Sequence, residues 1–506
     1  MSDANLYTLF EERFQEAGAA TAFRDAGGQT VSYEDLLGRV GQYANALAAE
    51  GVEPGDRVTV QVGKSLENVY LYLGVLKAGA VYQPLNTAYT ATEVDYFLSD
   101  AKPALVVADP ARAEAIRFSA AKHGVGKLYT MGADGAGSLS SLADTQADDH
   151  ETVAREPQDL AGLLYTSGTT GRSKGAMITH DNLSSNAIAL HSIWHFEPGD
   201  VLLHALPIFH VHGLYVALST AFLNGSEIIW LPRFDASEMM DLLPSATVMM
   251  GVPTFYTRLL AQDGFGAETC RNARLFVSGS APMLAETHIE FEQNTGHRIL
   301  ERYGMTEAGM ITSNPYDGDR AAGTVGYALP DVEIRVADDH GAPLPNGEIG
   351  VLEVKGPNVF SGYWQMPEKT AEEFRPDGFF ITGDMSKIDE DGRVTIVGRS
   401  KDLIISGGFN VYPKEIESEI DDMAGVGESA VVGVPHPDFG EGVIAVITAN
   451  GGKAPDEEEI IGALSERLAR FKVPKRVFVR DELPRNAMGK VQKAELRADY
   501  ADTFKS

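Results

Sequence analysis

Up to about residue 310, helical and strand-like segments alternate, and this alternation limits the possible folds more than any other feature. Residues 33–51 carry apolar side chains at helical spacing, and residues 56–62 are strand-like. A second helical segment follows, and then a strand at 104–109. Chains of this kind form parallel sheets with helices on both faces. Because ligands of such folds bind beyond the carboxyl ends of strands, motifs that follow strand-like runs are the first candidates for a site.

The pattern changes at about residue 330. Short strand-like runs separated by Gly, Pro and Asn turns predict a small antiparallel, barrel-like region. After a boundary at 398–402, helices and strands mix as in a separate small α+β domain. The chain has 506 residues, 44% of them hydrophobic, which is enough to bury a large core.

Charge and cysteine content narrow the class of protein. A net charge of −30 repels nucleic acid and anionic lipid, so we expect neither as a partner. The single cysteine, Cys270, cannot form an internal disulfide and fits a reducing cytoplasm. No basic segment of a signal peptide precedes Arg13. The longest uncharged stretch, residues 201–226, contains three histidines and a proline, which favours a soluble core over a membrane span.

Residues 165–175, with the sequence YTSGTTGRSKG, are the strongest candidate for a ligand site. A strand-like run precedes them and a helical segment follows. Glycine allows backbone N–H groups to wrap closely around phosphates, and Lys174 can reach a terminal phosphate as a point charge. The spacing differs from that of a Walker A loop. On the residues alone, a flexible surface loop stays open as the alternative.

This loop resembles the phosphate loop of the adenylate-forming ligases, the superfamily of acyl-CoA synthetases, luciferases and peptide-synthetase adenylation domains. Ser173 stands where that family usually has proline. Further segments resemble family motifs in the same order, namely VSGSAP (277–282), RYGMTE (302–307), TGD (382–384), GRSKDLIISGG (398–408) and PRNAMGK (484–490). The resemblance implies a reaction in which ATP activates an acid as an acyl-adenylate, which is then transferred to CoA, with Mg²⁺ as the metal.

The resemblance also implies the fold and the domains. The fold would be α/β, with a large N-terminal domain of two doubly wound parallel sheets plus a small β-barrel (residues 1–398). A hinge at 399–402 would join it to a small mobile α+β C-terminal lid domain (403–506). The chain would be a monomer or a homodimer.

Site residues follow from the same motifs. The nucleotide-binding candidates are Thr166, Ser167, Gly168, Thr169, Thr170, Gly171, Lys174, Ser280, Ala281, Pro282, Tyr303, Gly304, Met305, Asp384 and Arg399. Glu307 and Thr166 would hold Mg²⁺, which prefers hard oxygen ligands, and Thr306 would contact phosphate. Lys490 would bridge the substrate carboxylate and the α-phosphate, with His210 as a further catalytic candidate. In the family, the hinge residue matches Lys401, and Gly408 would border the tunnel for the pantetheine arm of CoA.

Arg302 indicates which acid is used. Many relatives have a small residue before this Tyr-Gly pair, whereas here a guanidinium enters. A buried arginine requires an anionic partner, and its planar fork matches a carboxylate. Further candidates for the acyl pocket are Arg258, Ser280, His210 and Met305. The alternative partners for Arg302 are protein acids, namely Glu301, Glu307 or Asp319. For His212 we expect an ordinary, satisfied core histidine.

A guanidinium without a protein partner predicts a short substrate with a second carboxylate, either malonate or methylmalonate. Segments at 83–90, 251–260, 301–307, 312–320 and 408–421 resemble those of malonyl-CoA synthetases more closely than those of general fatty acyl ligases. The alternatives are a short- or medium-chain acyl-CoA synthetase, an amino-acid adenylating enzyme and a non-catalytic nucleotide-binding protein. RFDAS (233–237) suggests the second of these, although Arg233 is also a candidate contact for a CoA phosphate.

Overall fold

The computed structural model of the protein describes residues 3–166, 173–406, 409–437, 439–452, 454–468, 470–486 and 489–505. The described helices are α1 (Leu6–Ala17), α2 (Tyr33–Ala49), α3 (Leu66–Lys77), α4 (Ala91–Ala101), α5 (Ala113–Lys122), α6 (Ser138–Ala143), α7 (His180–Ile193), α8 (Ser219–Asn224), α9 (Ala236–Leu242), α10 (Pro253–Leu260), α11 (Ala285–Thr295), α12 (Pro367–Glu372), α13 (Pro413–Asp421), α14 (Glu457–Arg467) and α15 (Lys493–Asp499). A π-helix, His212–Leu218, precedes α8, and short 3₁₀ turns lie at Leu243–Ser245 and Ser400–Asp402.

The described strands are β1 (Thr21–Asp25), β2 (Thr30–Ser32), β3 (Arg57–Gln61), β4 (Val81–Pro84), β5 (Leu105–Ala108), β6 (Leu128–Thr130), β7 (Leu160–Thr166), β8 (Lys174–Thr179), β9 (Val201–His204), β10 (Glu227–Trp230), β11 (Val248–Gly251), β12 (Leu275–Ser278), β13 (Leu300–Met305), β14 (Gly309–Ser313), β15 (Tyr327–Ala328), β16 (Glu333–Ala337), β17 (Gly350–Lys355), β18 (Phe380–Ile388), β19 (Val394–Arg399), β20 (Ile404–Ser406), β21 (Phe409–Val411), β22 (Val426–His436), β23 (Gly440–Ala449) and β24 (Arg476–Arg480).

Two large sheets, joined and covered by helices, form most of the molecule. Among the described residues, one has six strands in the order β6-β5-β3-β4-β7-β8, and only the β7–β8 pair is antiparallel. The other has nine strands in the order β15-β14-β13-β12-β11-β9-β10-β1-β2, with parallel pairing from β13 to β1 and antiparallel strands at both edges. The predicted α/β fold with parallel sheets is confirmed.

The region that we expected to be barrel-like is a four-stranded sheet in the described residues. In the part of the chain that is described, β16 to β19 form an open antiparallel sheet of four strands. Beyond it, β20 to β24 form a separate sheet that is covered by α13, α14 and α15. The buried apolar side chains of this C-terminal unit cluster among themselves, between residues 404 and 496, apart from the cores of the N-terminal part. The hinge at 399–402 and the mobility of this unit stay predictions.

The helical segment predicted after the glycine-rich loop is α7, but the strand β8, which the sequence did not indicate, lies between the loop and this helix. Residues 174–179 pair antiparallel with β7 before α7 begins, and the register places Lys174 opposite Thr166. Thr166 and Lys174, at the two ends of the loop, therefore face the same edge of the sheet. Two other motifs also differ from expectation, because residues 302–305 lie within β13 and residues 382–384 within β18, rather than after a strand.

Among the described residues, none of the helices has the length and apolar character required to cross a bilayer. The uncharged stretch at 201–226 instead contributes β9, the π-helix and α8 to the core.

Two glycines of α2 provide a matched test of its packing. An added Cβ at Gly41 would lie 1.9 Å from the backbone oxygen of Asp148, whereas one at Gly38 would make an ordinary 3.5 Å contact with the Asp148 side chain. Either substitution by alanine improves helix propensity by about 1 kcal/mol, but Gly41→Ala also overpacks the contact, which costs about 1–3 kcal/mol. We expect thermal unfolding of Gly41→Ala at a lower temperature than wild type, and of Gly38→Ala at the same or a higher one. Equal behaviour of the two variants would contradict this packing.

Candidate active site

Lys174 lies at the first position of β8 and contacts two groups from a distant part of the chain. Its Nζ is 2.8 Å from Oε1 of Glu373 and 4.0 Å from the ring centre of Tyr363. The Tyr363 hydroxyl donates to Oε2 of Glu373 at 2.6 Å, and its oxygen also lies 3.2 Å from Oε1 of Glu307. The ammonium of Lys174 and the carboxylates of Glu373 and Glu307 thus all contact Tyr363. Several predicted nucleotide-binding residues, namely Ser167, Gly168, Thr169, Thr170 and Gly171, lie outside the described residues, as does Gly408.

The carboxylate of Glu307 is the kind of oxygen ligand that Mg²⁺ prefers. Its side chain is buried, and burial raises the pKa of the carboxyl, while Lys174 acts in the opposite direction. A divalent cation beside the carboxylate would offset this burial. Within the described ranges, no group of three or more His, Cys, Asp and Glu side chains is arranged to hold a metal. The single buried carboxylate of Glu307 fits Mg²⁺, because this ion takes one or two carboxylates and completes its shell with phosphate oxygens and water.

Asp384 and Arg399 face each other across two antiparallel strands. They are register partners in β18 and β19, and Nε of Arg399 lies 2.7 Å from Oδ1 of Asp384. The Tyr303 hydroxyl donates to Oδ2 of the same carboxylate at 2.5 Å. Asp384 is buried. Three motifs that are far apart in sequence therefore meet at one oriented carboxylate. When ionised, this carboxylate can accept hydrogen bonds but cannot donate them.

Arg302 is buried without an acidic partner among the described residues. Only 4% of it is exposed, and its Nε and Nη2 have no hydrogen-bond partner. Burial lowers the pKa of the guanidinium well below its ordinary value, to about 9. The guanidinium packs on Gly279, where an added Cβ would lie 2.4 Å from its Cζ. The geometry leaves two donors ready for an anion.

The protein acids that could have paired with Arg302 are used elsewhere. Oε1 of Glu301 lies 3.2 Å from Nδ1 of His288, and Asp319 lies 2.9 Å from Nη1 of Arg298. Oε1 of Glu307 lies 3.2 Å from the hydroxyl oxygen of Tyr363. The alternative of an internal ion pair is therefore not realised in the part of the chain that is described.

His212, at the first position of the π-helix, differs from the satisfied core histidine that we expected. Its Nδ1 lies 3.2 Å from Oγ of Ser280, but its Nε2 is buried with no hydrogen-bond partner. Burial, followed by the charge of Arg302, keeps the pKa of His212 well below the usual range, so the ring is neutral. Ser280 has φ +72°, a left-handed conformation that turns its side chain toward this ring. His212 is a site residue that sequence reasoning missed, and the paired histidines of FHVHG were the available signal.

Lys490 enters the site from the C-terminal unit. The adjacent Gly489, with φ +74°, lies against Thr254 near the start of α10. Burial, and then the charge of Arg399, lower the pKa of Lys490 to about 8. Burial and the charges of Lys490 and Arg302 lower the pKa of His210 to about 3. Lys490 thus adds a further cation to Lys174, Arg302 and Arg399, and its charge acts on His210.

The other predicted residues differ in exposure. Arg258 is exposed in the last turn of α10 and so does not share the burial of Arg302, and its place in the acyl pocket stays a prediction. Lys401 is exposed in the 3₁₀ turn that follows β19, and Arg233 is exposed beyond β10. Ala281, Gly304 and Met305 are half-buried, and Pro282 is exposed.

Together, Lys174, Arg302, Arg399 and Lys490 bring positive charge into one region of a protein whose net charge is −30. Such a site can concentrate anions that the rest of the surface repels.

Comparisons with known proteins agree over the whole chain. The AMP-binding enzyme model matches residues 10–364, and the AMP-binding enzyme C-terminal domain model matches residues 415–490. A malonate–CoA ligase from Arabidopsis thaliana is 36% identical, with 90% of this chain and 80% of the relative covered. A feruloyl-CoA synthase from Amycolatopsis is also 36% identical, with 95% and 96% covered. The ATP-bound crystal structure of MatB from Rhodopseudomonas palustris has a TM-score of 0.97 and 55% identity, with both chains covered completely.

Replacement of Arg302 by methionine should stabilise the fold. Because burial lowers the pKa of the guanidinium, its charge opposes folding at every pH below about 9. Removal of unpaired buried donors gains about 1–3 kcal/mol. We expect Arg302→Met to raise the free energy of unfolding. The control is Arg298→Met, which replaces an exposed ion-pair residue and should leave the free energy of unfolding nearly unchanged. A loss of stability in Arg302→Met would mean that the guanidinium has a partner in the folded protein.

Proposed function

The chain belongs to the AMP-binding enzyme family, and on that premise we propose which acid it activates and how its residues divide the work. It is an AMP-forming acid–CoA ligase, which uses ATP to activate an acid and transfers the acyl group to CoA. We propose that the acid is malonate and that the products are malonyl-CoA, AMP and diphosphate.

The unpaired guanidinium of Arg302 is the observation that carries this proposal. A substrate with a second carboxylate would offer its two oxygens to Nε and Nη2 in the bidentate geometry that arginine favours. The buried Nε2 of His212 offers a further donor if the Ser280 hydroxyl donates to Nδ1, because the ring proton then lies on Nε2. The name of the Arabidopsis relative, a malonate–CoA ligase, supports the same acid. Methylmalonate carries the same two carboxylates and is a candidate second substrate.

In the first half-reaction, an oxygen of the reacting carboxylate attacks the α-phosphorus, and diphosphate leaves. We assign Lys174 to the terminal phosphates, Asp384 and Arg399 to the ribose hydroxyls, and Tyr303 to the adenine ring. Lys490 would lie between the attacked phosphate and the reacting carboxylate and hold both anions together. Neutral His210, near Lys490, would orient the reacting carboxylate.

Glu307 and Thr166 would hold Mg²⁺ beside the phosphates, and Thr306 would contact a phosphate oxygen. When bound, this ion would neutralise phosphate charge and orient the leaving diphosphate. In the second half-reaction the CoA thiol attacks the acyl-adenylate and releases AMP. For that step we propose that the C-terminal unit turns about residues 399–402, which moves Lys490 away and brings the region of Gly408 to the pantetheine arm.

The contacts of Asp235 disfavour the amino-acid adenylating alternative. This residue of the RFDAS segment is exposed and caps α9, where its side chain accepts from the backbone N–H of Glu238 at 3.0 Å. A capping role explains its presence without an amino-group ligand.

A panel of acids tests the choice of malonate. Acid-dependent diphosphate release should be fastest with malonate or methylmalonate, slower with succinate, and weak with acetate, butyrate or octanoate. Since a short apolar acid leaves the buried donors unpaired, we expect discrimination of about 100-fold or more in kcat/KM. Arg302→Ala should raise the KM for malonate steeply and reduce its advantage over butyrate, while Arg298→Ala serves as the control. Equal use of acetate and malonate by the wild-type enzyme would overturn the proposal.

Lys490→Ala separates the two half-reactions. We expect this variant to lose acyl-adenylate formation, because the two anions are no longer held together, but to convert supplied malonyl-adenylate and CoA to the thioester. Single-turnover measurements of each step would show the difference. An equal loss of both steps would contradict the role assigned to Lys490.

A further inference from the structure

Glu373 has no part in the mechanism above, yet it binds the cation that the mechanism assigns to the terminal phosphates. We propose that Glu373 is a positioning residue that competes with the diphosphate group of ATP, and with the diphosphate product, for the ammonium of Lys174. The inference rests on the proposed function in one respect, which is that Lys174 meets the β- and γ-phosphates.

The contact between Lys174 and Glu373 is well defined and joins distant segments. Nζ of Lys174 lies 2.8 Å from Oε1 of Glu373, and the two side chains are 18% and 21% exposed. Lys174 begins β8, whereas Glu373 directly follows α12. The second oxygen of Glu373 accepts the Tyr363 hydroxyl at 2.6 Å, and the ring of Tyr363 lies under the ammonium. Both carboxylate oxygens are therefore directed by hydrogen bonds.

Glu373 carries its charge in this environment. Burial alone would raise its pKa, but the hydrogen bonds from Lys174 and Tyr363 outweigh burial and hold the pKa below its usual range. A fixed negative charge thus lies where a polyanion must approach Lys174. A phosphate that approaches the ammonium meets this carboxylate at short range, so the two anions repel each other and compete for the charge of Lys174.

Glu373 keeps other partners after such an exchange. Nζ of Lys369 lies 3.3 Å from its Oε1, and Lys369 is 41% exposed. The Tyr363 hydroxyl also remains on Oε2. Departure of Lys174 therefore leaves no unpaired buried carboxylate, which makes a reversible exchange physically reasonable. The consequence for turnover is weaker retention of diphosphate and hence faster product release.

The test compares Glu373→Gln with Glu372→Gln. The neighbouring Glu372 is 66% exposed and pairs with Lys369 at 3.0 Å. Glu372→Gln therefore removes one negative charge, as Glu373→Gln does, but leaves the ion pair of Lys174 in place. With Mg²⁺ present, titration calorimetry on the full chain would give the dissociation constants of diphosphate, ATP and AMP. We expect Glu373→Gln to bind diphosphate and ATP about three- to tenfold more tightly, with AMP binding unchanged because AMP lacks the β- and γ-phosphates. Glu372→Gln should behave as wild type.

Unchanged or weaker binding of diphosphate by folded Glu373→Gln would overturn the inference, as would equal tightening for AMP. Glu373→Asp is the second variant, for use if Glu373→Gln does not fold. Its shorter side chain withdraws from Lys174, so diphosphate should again bind more tightly, and a failure to do so would also overturn the inference. None of these titrations contains an acid substrate, whereas absence of acid-dependent diphosphate release by the wild type would reject the proposed function instead.

Discussion

The buried guanidinium of Arg302 has no acidic partner among the described residues, and the organisation of the acyl end of the site depends on this imbalance. A buried unpaired cation destabilises a fold unless a ligand neutralises it. The surrounding groups do not relieve it, because His212 is neutral and Gly279 contributes only backbone. Stability is thus exchanged for selectivity between acids, as is common where buried polar groups wait for a substrate.

The cations at the proposed nucleotide end differ from Arg302 in their partners. Each cation there already faces a carboxylate of the protein, Lys174 with Glu373 and Arg399 with Asp384. The two ends of the cleft therefore differ in kind. At the proposed acyl end a cation would be left to the substrate, whereas at the proposed phosphate end protein carboxylates would compete with the ligand. Charges from both environments, Arg399 and Arg302 among them, act on Lys490, whose pKa is lowered to about 8.

Much of the fold could be predicted from the sequence, and the exceptions have physical reasons. The helical period of residues 33–51 predicted α2 correctly, because its apolar side chains pack against one neighbouring layer. The strand β8 was missed because its pairing with β7 depends on the hairpin register and not on local period. The exposure of Arg258 could not be predicted, because helical periodicity gives the face of a side chain but not what covers it. An apolar run likewise predicted burial of His212, but burial does not say what its second nitrogen meets. The contact of Lys174 with Glu373 joins residues 199 positions apart, and no local pattern indicates it.

The pairing of Asp384 with Arg399 has a consequence for how the two parts of the enzyme communicate. Arg399 is the last residue of β19, and the chain turns at Ser400–Asp402 directly after it. With the ribose role that we propose for Asp384, a bound ribose would rearrange hydrogen bonds at the residue where the chain leaves the N-terminal part. The presence of a nucleotide and the orientation of the last hundred residues would then be linked through the Arg399 side chain, and each state of the nucleotide would favour its own arrangement of the proposed lid.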